Sequence, residues 1–134
     1  APRSAIGTLA PLRNQALLLA AWTEDHRLLL RRIAPDGRTV TIEAEGLPAM
    51  PARMGWFRPV LGRGEDGLLR LWVPAEPGRW ACFVSPDGKR WRGPVAHLEG
   101  IWPCSLVVEE DGTILTAVDS CDAAYFHRTR EDGR

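Results

Sequence analysis

Several things are scarce in this chain, and each scarcity excludes something. There are three cysteines, Cys82, Cys104 and Cys121, and no Cys-x-x-Cys pair. A structural zinc site therefore has no ligand framework, and neither a metal nor a cofactor is expected. There is no excess of either charge: 17 Lys and Arg balance 17 Asp and Glu, for a formal net charge of zero. That removes any general electrostatic pull toward nucleic acid or an anionic membrane. No run of 18 apolar residues occurs, so a membrane-spanning helix is not expected. The first residue is Ala rather than Met, and no basic-then-apolar leader follows it. The chain is accordingly expected to be trimmed, or to be a piece of something longer.

What is present is an ordinary globular balance. The 134 residues are 45% hydrophobic and 25% charged, enough for one domain with a real core. Six tryptophans are many for this length, and they recur near the ends of candidate strands.

The sequence also repeats itself. "RPVLGRGEDGLLRLWV" (58–73) and "WPCSLVVEEDGTILTAV" (102–118) share a Pro, a short apolar run, an acidic-Asp-Gly turn and a second apolar run. Pro59 and Pro103 are 44 residues apart, and Asp66 and Asp111 are 45 apart. Moved by 51, "GTLAPLRNQALLLAAW" (7–22) falls on the first of these, and "APDGRTVTIEA" (34–44) falls on "SPDGKRWRGPV" (85–95). The spacing predicts three units of short strands A to D. Unit one has A near 6–13, B 16–23, C 27–34 and D 38–44. Unit two has A 57–64, B 67–74, C 79–85 and D 89–96. Unit three has A 103–109, B 112–118 and C 123–129, and stops at its C–D turn, "REDGR" (130–134). Asp-Gly pairs supply the positive φ that hairpins need. The stretch 12–33 is rich in Leu, Ala, Arg and Gln and by propensity alone reads as helix; the repeat register reads it as strands.

A four-stranded unit of roughly 45 residues in tandem is the signature of a β-propeller blade, which buries its faces only by stacking on neighbours. The expected fold is all-β, a propeller segment of about three blades: about 6–45, 57–97 and 102–134, the last lacking its outer strand. Open edges at both ends invite pairing, either with remaining blades of a longer chain or with a second copy.

Ser85, Asp87, Gly88 and Trp91 resemble the Asp-box, S-x-D-x-G-x-x-W, of sialidase-like (BNR-repeat) propellers, with a turn one residue shorter than the fullest form. The resemblance implies a C–D turn in which Asp87 accepts backbone N–H groups and Trp91 packs between sheets. Asp36-Gly37 and Asp132-Gly133 look like degenerate copies without the Trp. "FRPVLGRGEDGLLRLWV" is similar to the family's F-R-I-P opening with one residue missing after Arg58. "WPCSLVVEEDGTILTAVDS" is similar to another blade opening of that group. The likeness covers about 57–119, and reaches 1–56 only through the internal repeat.

In such a propeller the D–A and B–C loops form the ligand face, and the Asp-box turns point away from it. The resemblance makes Arg58 a candidate clamp for a ligand carboxylate, a task suited to its bidentate fork; a surface ion pair is the plainer reading. Trp56 and Trp102 flank equivalent blade entrances, where they stack on a sugar ring or, more simply, pack between blades. Arg53 lies in the same D–A loop as Trp56. Glu24, Asp25 and His26, Asp119 and Asp122, and His97 and Glu99 put acid–base groups in loops of that face; for each, a solvated turn is the simpler reading. Cys104 and Cys121 fall on the same face at disulfide-compatible places, and Cys82 reads as a buried strand residue. The family's catalytic set is three arginines, a Tyr–Glu pair and an Asp. The single tyrosine, Tyr125, falls inside strand C, so an intact catalytic site is not expected in this chain by itself. The reading is a module binding a carbohydrate, an acidic sugar or another ligand on its loop face. The alternatives are a glycoside hydrolase completed by further blades or another chain, and a protein-interaction scaffold. The resemblance favours an extracellular or periplasmic setting.

Overall fold

The structure, a computed structural model, describes residues 7–23, 25, 27–49, 58–76, 78–100, 102–120 and 123–130; at Trp102, 118–120, 123–125 and 127 it describes the backbone alone. The described residues form three antiparallel sheets, each a meander in which successive strands pair, and none closes on itself. Sheet 1 holds β1 (Gly7–Pro11), β2 (Leu17–Trp22), β3 (Leu28–Ile33) and β4 (Thr39–Ile42). Sheet 2 holds β5 (Val60–Arg63), β6 (Leu69–Glu76), β7 (Arg79–Ser85) and β8 (Arg92–Glu99). Sheet 3 holds β9 (Trp102–Val108), β10 (Ile114–Ser120) and β11 (Ala123–Thr129). The all-β expectation and the order of the strands hold.

The Leu-rich stretch 12–33 is strand rather than helix, for a local and a tertiary reason. A single 3-10 turn spans Arg13–Gln15, where Asn14 and Gln15 take φ of 59° and 61°, a left-handed step that ends helical propagation. Burial then alternates with the period of a strand: Leu18 and Ala20 are sealed while Leu17 is exposed. A sheet with a core on one side rewards that period, and propensity yields to it.

The other tight turns run on Asp-Gly. Asp36, Asp66 and Asp111 each accept the backbone N–H two residues on, from Arg38, Leu68 and Thr113, at 3.0, 3.0 and 2.9 Å. The glycines that follow carry positive φ, which costs a residue without Cβ little.

Sheet 2 is the middle layer and is buried on both faces. Leu61, Leu69, Leu71, Val73 and Phe83 meet Ala10, Leu18, Ala20 and Leu30 of sheet 1. Val60, Trp72, Trp80, Cys82 and Leu98 meet Leu106, Val108 and Ile114 of sheet 3. This is why β6 and β7 read as nearly continuous apolar runs rather than alternating ones. The first strands lie side by side, β5 between β1 and β9. Thr8 ties two of them: its hydroxyl donates to the Pro59 carbonyl and accepts the Leu61 N–H, both at 3.1 Å. The approach on the other side is close enough that a Cβ on Gly62 would sit 2.4 Å from Leu106 Cδ1. Farther along, the buried Trp72 indole donates to Thr116 Oγ1 across sheets 2 and 3 at 3.2 Å.

Several boundaries differ from expectation by two residues or more. β5 begins at Val60, so Arg58 precedes its strand; β6 runs on to Glu76; β8 is shifted to 92–99; and β10 reaches Ser120. In β8 the cause is period-two burial, with Ala96 and Leu98 inside and His97 and Glu99 outside, paired against Arg79–Cys82 of β7. His97, Glu99 and Asp119 are therefore strand residues, not loop residues.

Candidate functional site

Antiparallel pairing puts the start of each first strand, the end of each second and the start of each third at one end of a sheet. At that end of sheets 2 and 3, Arg58 is exposed and donates from Nη2 to the Cys104 carbonyl at 3.1 Å. The guanidinium is thus anchored across the junction of two sheets by one of its five N–H groups. The backbones of Trp102 and Asp119 are register partners at the same end of sheet 3. Glu99 is exposed, with a carboxylate oxygen 3.6 Å from Arg79 Nε of the neighbouring strand. Asp25 is an exposed turn residue inside a loop closed by Thr23, whose N–H donates to the Arg27 carbonyl. Arg53, Trp56, Asp122, Cys121, Glu24 and His26 lie outside the described residues. Arg58, Trp102, Asp119 and Glu99 thus share one end of sheets 2 and 3, and the Asp25 loop lies at the corresponding end of sheet 1. Cys82 is buried between sheets 2 and 3, as expected, and Cys104 is half-buried.

The turn from Ser85 to Trp91 is held by its own side chains. Ser85 is fully buried; its oxygen accepts the N–H of Gly88 at 2.8 Å and of Asp87 at 3.3 Å, and its proton goes to Asp87 Oδ1 at 3.2 Å. Asp87 Oδ1 accepts the N–H groups of Lys89 and Arg90 at 2.9 and 3.0 Å. Those donors, the Arg90 N–H foremost, hold its carboxyl below the usual carboxylate range. The Trp91 indole donates to the Gly88 carbonyl at 2.8 Å while its ring joins the core between sheets 1 and 2. The turn also clasps the segment after sheet 1. The Glu45 N–H donates to the Lys89 carbonyl at 2.8 Å, and the Glu45 carbonyl accepts the Trp91 N–H at 2.9 Å. Gly46 lies so close, at φ +89°, that a Cβ there would run into the Trp91 carbonyl.

A feature that the residue pattern did not reveal lies at the opposite, turn end. An open cleft of about 750 Å³ is lined by Asp66, Arg70, Arg92, Glu110, Asp111 and Arg130, among others. Arg70 is 1% exposed and makes a two-pronged contact to Asp66, 2.9 Å on each arm. That contact holds the Asp66 carboxyl low. The signal available in sequence was a cation inside the apolar run "LLRLW" four residues after an Asp, because a buried strand cation needs a paired acid. Positive and negative groups balance along the cleft, which gives it no preference for an ion of either sign.

Among the described residues no group of three or more His, Cys, Asp or Glu side chains is placed to hold a metal ion. Fold and site together define an all-β protein whose described residues form three face-packed antiparallel meanders. No known protein family, curated protein or solved structure matches the chain.

Proposed function

We propose that this chain is a segment of a sialidase-like (BNR-repeat) β-propeller that acts as a binding module, taking a carboxylate-bearing ligand such as an acidic sugar beside Arg58. The propeller reading is supported by a middle sheet buried on both faces, with the first strands of all three sheets adjacent. Radial stacking of blades around inner first strands has that arrangement. The Asp-box-like hydrogen bonding of Ser85, Asp87 and Trp91 supports the same reading.

The ligand assignment is carried by one observation: an exposed guanidinium, anchored through Nη2 to the Cys104 carbonyl, stands where sheets 2 and 3 meet at their loop end. Anchoring lowers the entropy lost when the remaining N–H groups clamp a carboxylate. Titration with a panel of acidic glycans and their carboxyl-methylated forms tests it. Binding is expected for the acids only, and Arg58→Ala is expected to weaken it by about tenfold to a hundredfold. Binding that survives both methylation and Arg58→Ala removes this site. Turnover of a fluorogenic glycoside replaces the binding reading with a hydrolase.

A further inference from the structure

Two apolar sheet faces lie uncovered among the described residues, at opposite ends of the stack. Sheet 1 turns Leu18, Ala20 and Leu30 toward sheet 2, which leaves the alternate residues facing away: Leu9 is 54% exposed and Leu17 37%. Sheet 3 turns Leu106, Val108 and Ile114 toward sheet 2, which leaves Val107 at 61% and Phe126 at 72% exposed on its far side.

Register shows that these faces are the two halves of an interface the chain already makes twice. Next to the turn between first and second strands, Pro11 pairs with Leu17, Arg63 with Leu69 and Val108 with Ile114. Leu69 and Ile114 at this position pack on the preceding sheet; Leu17 has no preceding sheet among the described residues. One pair farther from the turn, Leu18 faces the following sheet, and Gly62, partner of Arg70, abuts Leu106 of the following sheet. Leu115, which pairs with Val107, occupies the same position with no following sheet described. Arg31, paired with Leu19 on the outer side of sheet 1, has a solvent-shielded Nε with no acceptor among the described residues.

We propose that a second copy of the chain covers both faces, sheet 3 of each copy packing on sheet 1 of the other, so that six sheets close around a twofold axis. The proposal rests on the propeller reading above. Propellers close at about four to eight blades, and in steps of three only six falls in that range. Head-to-tail contacts that return on themselves close a ring, and broad exposed apolar patches are the mark of such contacts.

Light scattering on the full chain after size exclusion tests it, with circular dichroism on every sample. The expected mass is twice the 14.8 kDa of one chain. Phe126→Glu and Leu9→Glu, on opposite end faces, are each expected to weaken association by about tenfold or more with the strand spectrum unchanged. A wild-type monomer with a strand-rich spectrum overturns the second copy and leaves the stacked sheets standing. Dissociation by only one of the two variants overturns the head-to-tail arrangement, and an open-ended series of masses overturns closure. A wild-type spectrum without strand character instead sinks the propeller reading beneath it.

Discussion

At Asp36 and at Asp87 the chain sets the same Pro-Asp-Gly between the third and fourth strands of a sheet, and the flanking residues differ. Shifted by 51, Ala34 stands where Ser85 stands and Val40 where Trp91 stands. Asp36 bonds the Arg38 N–H and side chain, and the Gly37 N–H reaches the Ala34 carbonyl. The hairpin is closed and exposed, and among the described residues its turn hydrogen bonds stay within it. Around Asp87 the same Pro-Asp-Gly is wrapped by a buried hydroxyl and capped by an indole that is 6% exposed, against 61% for Val40. Pro-Asp-Gly is therefore sufficient for the turn. Ser and Trp convert it into a joint between two sheets.

The largest effect that would break this comparison is at the indole. Trp91→Ala is expected to cost about 3 to 5 kcal/mol in urea unfolding, through the cavity left between sheets 1 and 2 and the lost bond to Gly88. A loss under about 1 kcal/mol would show that the joint does not depend on it. Ser85→Ala comes next. It strands the buried Gly88 N–H and loosens the partly buried Asp87 N–H, and is expected to cost about 1 to 3 kcal/mol. At the other turn, Asp36→Ala is expected to lower the unfolding midpoint only slightly, since its bonds to Arg38 are solvent-exposed; a loss as large as that of Ser85→Ala would erase the distinction between the two turns.

Acid sharpens the contrast least but most generally. The carboxyls of Asp36, Asp66, Asp87 and Asp111 are all held below their ordinary value, by the Arg38 N–H, the Arg70 side chain, the Arg90 N–H and the Thr113 side chain respectively. Lowered folded values mean that their stabilisation is complete above the unfolded carboxylate range, about pH 4. It is lost as pH falls through the lowered values. Stability measured from pH 6 down to 2 is expected to fall mainly below about pH 4, and less steeply in Asp87→Asn. A flat profile, or a decline centred well above that range, contradicts the assigned hydrogen bonds.

The strands were legible because their punctuation is chemical. Asp-Gly at 66, 87 and 111 announces turns through a carboxylate that mimics the backbone and a residue that tolerates positive φ. The leucines of 17–30 were ambiguous, because length and composition fit either period. The site was less legible. Arg58 is a cation near a strand start in sequence, and only folding brings it to the carbonyl of Cys104, 46 residues away. His97 and Glu99 read as loop residues because, in sequence, the turn after Ser85 sets an early strand start. Pairing with β7 placed the strand later.

By itself the sequence determined the repeat, the all-β class and the chemistry of each turn, because those follow from periodicity and from hydrogen bonds between residues two or three apart. Which sheet is sandwiched, that Trp91 reaches Glu45's segment, that Arg70 is buried against Asp66 while Phe126 stays bare, were decided by tertiary structure. They depend on which face each sheet turns to its neighbour, and a one-residue shift in register, nearly invisible in a run such as "LLLAAW", exchanges inside for outside along a whole strand.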